Sequence, residues 1–255
     1  MAYYIIRPGE HAVEDAAGTS LAVCEVFADA VQGEGVYAGC PAVFLRLSGC
    51  HLGCKWCDTM DIWNKSCRLS VDRLVGIFKD GGIVSRLDKG HHLVVTGGAP
   101  MLQQDALTEF LVSLNNVCRN RPFVEMENEC TIPVHPGNSE LWGLVDSWNN
   151  SPKLSHSGVP DAKRYNPEAI GQMSLAREAW FKFVVGGEDD WAEIEDGFIV
   201  PGYVRRSQVL LMPEGQTRSQ LSPEKKQAVL EMAVRHDVRY AGRLQIDVYD
   251  NRKGV

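Results

Sequence analysis

The 255-residue sequence has no uninterrupted apolar run near the ~18 residues a membrane-spanning helix requires. It also has no block of basic residues. Its 26 Lys and Arg are scattered among 33 Asp and Glu, and the net charge is −7. Nucleic acids and anionic membranes are read by basic patches, so neither is expected as a partner. The first ten residues lack a charged stretch followed by an apolar core, so they do not read as a secretory signal. Internal repeats and low-complexity tracts are absent too. Small-molecule chemistry in a cytoplasmic, reducing compartment is therefore expected. There, eight cysteines point to metal binding or catalysis rather than disulfides. A hydrophobic content of 44% suffices for one sizeable core.

Three of the cysteines stand together, in Ser48-Gly49-Cys50-His51-Leu52-Gly53-Cys54-Lys55-Trp56-Cys57-Asp58-Thr59. The spacing is C-x3-C-x2-C. Three thiolates can hold three corners of a four-iron cluster and leave one iron open for a cofactor or substrate. Gly49 and Gly53 permit the tight turns of a chain wrapping such a cluster. The competing assignment is structural zinc on Cys50, Cys54, Cys57 and Cys67. Zinc sites favour two knuckles of paired cysteines, and no other cysteine lies within knuckle spacing of Cys67 in the sequence.

Residues 1–20 read as an N-terminal extension, and residues 21–255 as a single domain. Strands are expected at residues 42–47, 92–95, 123–126, 180–185 and 209–212. A helix capped by Ser70 carries Leu74, Val75, Ile77 and Phe78 and stops at Gly81-Gly82. Another places Leu107, Phe110, Leu111 and Leu114 on one face. A third opens at Ser222-Pro223. Residues 154–178 read as an irregular polar insertion. Alternating strands and helices imply βα units, an α/β fold with a parallel sheet and its chemistry at the carboxyl ends of the strands.

The cysteine loop resembles the signature of radical S-adenosylmethionine enzymes. Further motifs sharpen the resemblance: Val31-Gln32-Gly33-Glu34-Gly35, Phe44 to Cys50, Thr96-Gly97-Gly98, Glu127 with Thr131-Ile132-Pro133, Ser151-Pro152-Lys153 and Met212-Pro213-Glu214-Gly215. In this order, over roughly residues 22–250, they are similar to the 7-carboxy-7-deazaguanine synthases. The resemblance implies an incomplete (β/α) TIM-type barrel of the radical SAM type that works as a homodimer. It implies conversion of 6-carboxy-5,6,7,8-tetrahydropterin to 7-carboxy-7-deazaguanine with loss of ammonia. Its cofactors would be a [4Fe-4S] cluster, S-adenosylmethionine and Mg2+, with an unidentified one-electron reductant. The alternatives are a radical enzyme acting on another pterin-like molecule, a radical activase and a zinc-stapled binding module.

The resemblance also implies roles. Cys50, Cys54 and Cys57 would ligate the cluster and Thr59 the Mg2+. Val31, Gln32, Gly33, Glu34, Arg46, Thr96 and Glu127 would contact the pterin, with Arg46 on its carboxylate as a bidentate fork. Trp56, Gly98, Ser151, Lys153, Met212 and Glu214 would contact S-adenosylmethionine. Lys182, a charge in an apolar strand, is expected to be buried if it points into the site. Three departures stand out, one of them Asn128-Glu129-Cys130 in place of the family's typical Thr-Asn-Gly. The family's glycine motif usually continues with a glutamate for the cofactor's amino group, and here the residue is Ala99, leaving Glu129 as a candidate substitute. Asp247 stands where the family has a histidine.

Overall fold

A computed structural model describes residues 3–9 and 18–254. Its strands are β1 (Tyr3–Ile6), β2 (Ser20–Val31), β3 (Pro41–Leu47), β4 (Cys67–Ser70), β5 (His92–Gly97), β6 (Val124–Asn128), β7 (Ser147–Asn150), β8 (Ala179–Val185), β9 (Val209–Pro213) and β10 (Arg239–Tyr240). Its helices are α1 (Met60–Trp63), α2 (Val71–Asp80), α3 (Ile83–Leu87), α4 (Gln104–Asn115), α5 (Leu141–Leu144), α6 (Asp161–Arg164), α7 (Pro167–Ser174), α8 (Asp189–Ile194), α9 (Pro223–Arg235) and α10 (Leu244–Tyr249).

All ten strands form one sheet, in the order β1-β2-β3-β5-β6-β7-β8-β9-β10, with β4 also on β2. From β3 to β10 every neighbour is parallel, while β1, β3 and β4 run antiparallel to β2. The sheet curls without closing, as expected of an incomplete barrel. Leu93, Val94 and Val95 of β5 are all fully buried, the continuous apolar run of a strand covered on both faces.

The helix signals act as expected. The Ser70 side chain accepts the Arg73 N–H at 3.3 Å, and Leu74, Val75 and Phe78 of α2 face the core. Leu107, Phe110, Leu111 and Leu114 do the same on α4. Ser222 caps α9 by accepting from Lys225 N–H, with Pro223 in the first turn. Burying each large side chain of this kind contributes about 1.5–3 kcal/mol.

The strands β2, β4 and β10 fall outside the expected set, and three further segments differ from expectation. Residues 154–178 are not irregular: they contain α6 and α7. Asn166 caps α7 through the Glu168 and Ala169 amides, Pro167 opens it, and Ala169, Ile170 and Met173 are buried. An Asn-Pro pair before spaced apolar residues is a legible helix start. The expected extension contributes β1, whose Ile6 is fully buried against β2; residues 1–2 and 10–17 lie outside the described residues. Finally, β7 is Ser-Trp-Asn-Asn, buried throughout. Polar residues conceal a central strand, because their partners come from neighbouring strands rather than from the apolar core.

Candidate active site

A cavity of about 310 Å³ opens at the carboxyl ends of the parallel strands. The cysteine loop enters it from β3, Thr96 and Gly97 from β5, Glu127 and Asn128 from β6, Ser151 and Lys153 from beyond β7, Lys182 from β8 and Met212 from β9. Register aligns them: Arg46 pairs with Thr96, Leu47 with Gly97, and Glu127 with Asn149.

Two glycines bring β5 against the cysteine loop. Gly97 has φ of +150°, and a Cβ there would lie 2.2 Å from the Leu47 carbonyl oxygen. A Cβ on Gly98 would lie 2.2 Å from the Gly49 oxygen and 2.7 Å from the Cys50 Cβ. The Ala99 N–H then donates to the Gly49 oxygen at 2.8 Å. Close packing of this loop thus requires the glycine pair, whatever Gly98 offers the cavity. Ala99 is fully buried and is not part of the cavity wall.

Cys50, Cys54 and Cys57 all border the cavity, and Cys54 packs with Leu52, Trp56 and Val159. The loop is pinned by Lys55 N–H to the Ser157 oxygen at 2.9 Å and by Ser48 Oγ to the Trp63 oxygen at 2.6 Å. Burial raises the Cys54 thiol above its ordinary pKa, against the nearby positive charge of Lys153. Among the described residues no set of three His, Cys, Asp or Glu converges on a single-ion site. The zinc alternative needs Cys67 as its fourth ligand, and Cys67 lies elsewhere, its Sγ turned to the Val23 oxygen at 3.6 Å. Trp56 lies between the His156 ring, 5.7 Å away, and the Lys153 ammonium, 5.6 Å from its centroid. Thr59 stands before α1 without a side-chain capping bond; its hydroxyl is 3.9 Å from Cys57 Sγ.

The opposite wall is a charge network. Lys182 pairs with Glu34 and, at 3.3 Å, with Glu127. Arg243 donates to Glu34 at 2.9 Å, to Asp58 and to the Gly215 oxygen. Gln245 donates to Glu34 at 2.8 Å. The Gln32 amide donates to Glu125 at 3.0 Å and Glu127 at 3.3 Å, and Asn149 donates to the same two carboxylates. Burial alone would raise Glu34, but Lys182 and Arg243 overcome it and hold that carboxyl well below the usual range. Glu127 goes the other way, because burial dominates. Burial opposes the charge of Lys182, yet Glu127 and Glu34 raise its pKa and keep it protonated.

Every residue anticipated for the site lines the cavity except Glu214, whose carboxylate pairs with Lys225 at 3.0 Å; Gly215 and Gln216 line the wall instead. Arg46 lines it with its Nε bound to Glu25 at 2.6 Å. Asp247 pairs with Lys226, away from the cavity. Sequence reasoning overlooked Arg243 and Gln245. Arg243 precedes and Gln245 lies within the short α10, just after a two-residue strand, and no local pattern marks them.

A model for a 4Fe-4S single cluster domain matches residues 31–127. A 7-carboxy-7-deazaguanine synthase of Pyrobaculum aerophilum is 35% identical over 91% of this chain and 96% of its own length. The chain belongs to the 7-carboxy-7-deazaguanine synthase family. The Rhodopirellula baltica synthase is 30% identical over 98% of this chain and 96% of its own. The fold is that of the crystal structure of QueE from Escherichia coli, with a TM-score of 0.65 at 22% identity, covering 89% of this chain and 95% of that one. As a 7-carboxy-7-deazaguanine synthase family member the chain is a radical S-adenosylmethionine lyase of deazaguanine biosynthesis that uses a 4Fe-4S cluster and takes a small-molecule substrate. No helix among the described residues is long and apolar enough to cross a membrane.

Proposed function

We propose that this chain converts 6-carboxy-5,6,7,8-tetrahydropterin to 7-carboxy-7-deazaguanine with loss of ammonia. The observation that carries the reading is full-length similarity to such synthases, in a chain whose three loop cysteines share one cavity with Arg46. When bound, the cluster and S-adenosylmethionine supply the one-electron chemistry, and the protein supplies position and electrostatics.

Cys50, Cys54 and Cys57 hold the cluster. Trp56, Gly98, Ser151, Lys153 and Met212 form the cofactor's wall; the role anticipated for Glu214 passes to Gly215 and Gln216. Arg46 takes the substrate carboxylate with its two terminal nitrogens, because its Nε is committed to Glu25. The side chains of Gln32, Glu34 and Glu127 are engaged with Glu125, Lys182, Arg243 and one another. They set the charge and shape of the substrate wall, while the backbone of Val31 to Gly33 and the Thr96 hydroxyl meet the pterin. Such fixed dipoles exclude water and reorganise little during reaction. Thr59 is the Mg2+ ligand; its hydroxyl is spared from helix capping, and Mg2+ accepts few protein ligands.

The same reading includes a cytoplasmic homodimer served by a separate one-electron reductant. A chain of eight cysteines, three of them in the cluster loop, supports a reducing compartment, and exposed Leu230 and Val234, one turn apart on α9, support an interface. Light scattering checks the dimer. Anaerobic turnover of the reconstituted enzyme with 6-carboxy-tetrahydropterin, S-adenosylmethionine and Mg2+ checks the reaction. Mass spectrometry is expected to find 7-carboxy-7-deazaguanine; cofactor cleavage without that product overturns the assignment.

A further inference from the structure

Carboxylates in the cavity wall are matched by donors, with one exception. Glu34 has Lys182, Arg243 and Gln245; Asp58 has Arg243; Glu127 has Lys182, Gln32 and Asn149. Asp250, exposed at the mouth, accepts the Arg218 N–H at 2.7 Å. Glu129 is 5% exposed and lines the cavity, yet its Oε2 is buried with no hydrogen-bond partner. Its Oε1 accepts the Thr131 hydroxyl, at 3.0 Å. Lys153 is near but does not answer it, since the ammonium is held by the Ser151 carbonyl at 2.7 Å and hydroxyl at 2.8 Å. A buried acceptor left unmatched costs free energy, so it marks a place where a ligand completes the bonding.

Glu129 is also tied to the cluster loop. The Thr131 hydroxyl has a single proton, and it goes to Glu129. Its oxygen therefore accepts from His51 Nε2, 2.7 Å away and next to Cys50 in the chain. This chain of bonds fixes the rotamer of Glu129 beside the cysteine loop.

We infer that Glu129 is the acceptor for the α-ammonium group of S-adenosylmethionine, with Thr131 and His51 as positioning residues behind it. The inference rests on the proposed function. Of the groups offered by cofactor and pterin, only the α-ammonium combines a full positive charge with N–H donors, which is what a lone buried carboxylate selects. The sulfonium is charged but has no donor. The pterin has donors, and its neutral edge would add no positive charge to that of Lys153 nearby.

The test is equilibrium dialysis under anaerobic conditions on cluster-loaded protein. It compares S-adenosylmethionine with the analogue lacking the α-amino group, in wild type and Glu129→Gln. Iron content, measured alongside, is expected to be unchanged. Wild type should prefer the parent cofactor roughly ten- to hundredfold, the scale of one ionic hydrogen bond, and Glu129→Gln should lose that preference. Thr131→Val should reduce it in part. Glu129→Ala repeats the cycle should the glutamine variant not fold. A preference that survives both substitutions overturns the assignment, as does weakened pterin binding with cofactor discrimination intact. Wild type that loads iron but binds no S-adenosylmethionine overturns the proposed function itself, a result distinct from the others.

Discussion

Cys54 is the most enclosed of the three loop thiols, at 6% exposure, and burial holds its pKa up. Iron must therefore displace its proton, and loss of this ligand is not answered by another thiol, because Cys67 is turned to the Val23 oxygen and Cys130 is fully buried behind the cavity wall. Cys54→Ala is expected to leave the protein folded, to lower iron below the roughly four atoms per chain of a full cluster, and to abolish 5′-deoxyadenosine formation. Iron analysis and chromatography of the products check both. Lys182 poses the opposite problem, a buried cation compensated by two carboxylates. Lys182→Met strands Glu127 with amide donors alone, and breaking such a pair costs about 3–5 kcal/mol. Urea denaturation at pH 7 should report a loss of that order. All the residues of the cysteine loop were legible in the sequence because they are contiguous. The engagement of Glu34 with Arg243 was not, since 209 positions separate them.

At the scale of elements, the cysteine loop depends on how β5 ends. Gly98→Ala would place a methyl 2.2 Å from the Gly49 backbone oxygen, which cannot turn aside as a side-chain tip could. The loop must shift. We expect a destabilisation of about 1–3 kcal/mol and incomplete cluster loading, measured by thermal unfolding and iron content. The amphipathic helices α2, α4 and α9 could be read from their periodicity and caps, which are local properties. The strand β7 could not. Its Asn149 and Asn150 are buried only because Glu125 and Asn128 of β6 supply their partners, and those partners are chosen by the sheet order.

At the scale of the molecule, the partial barrel leaves a gap that backbone pairing does not close, since β1 and β10 are its two edges. One backbone hydrogen bond and a group of side chains bridge it instead. The Leu244 N–H reaches the Gly33 oxygen at 2.9 Å, and Lys182, Arg243 and Gln245 converge on Glu34. Acid should loosen this closure. The folded-state pKa of Glu34 is depressed, so the stability it adds is fully present above the ordinary glutamate value of 4.5 and is lost as pH falls toward its own lower value. Hydrogen-exchange protection, measured relative to the intrinsic rate at each pH, is expected to fall in residues 241–249 below pH 4.5. In Glu34→Gln that segment should already exchange faster at pH 7 and should respond less to acid. Equal protection in both proteins at both pH values would show that the network does not hold the segment.

By itself, the sequence determined what local chemistry can encode. That includes the cluster-forming cysteine spacing, the glycines needed at turns, the helix caps, the βα alternation and, through resemblance, the family. Tertiary structure alone decided which charges meet. It sent Glu214 to Lys225 and Asp247 to Lys226, brought Arg243 to Glu34, and left one oxygen of Glu129 without a partner in the cavity wall. The physical reason is that the burial cost of a charge is set by what surrounds it in space, and those surroundings come from strands and loops far apart in the chain.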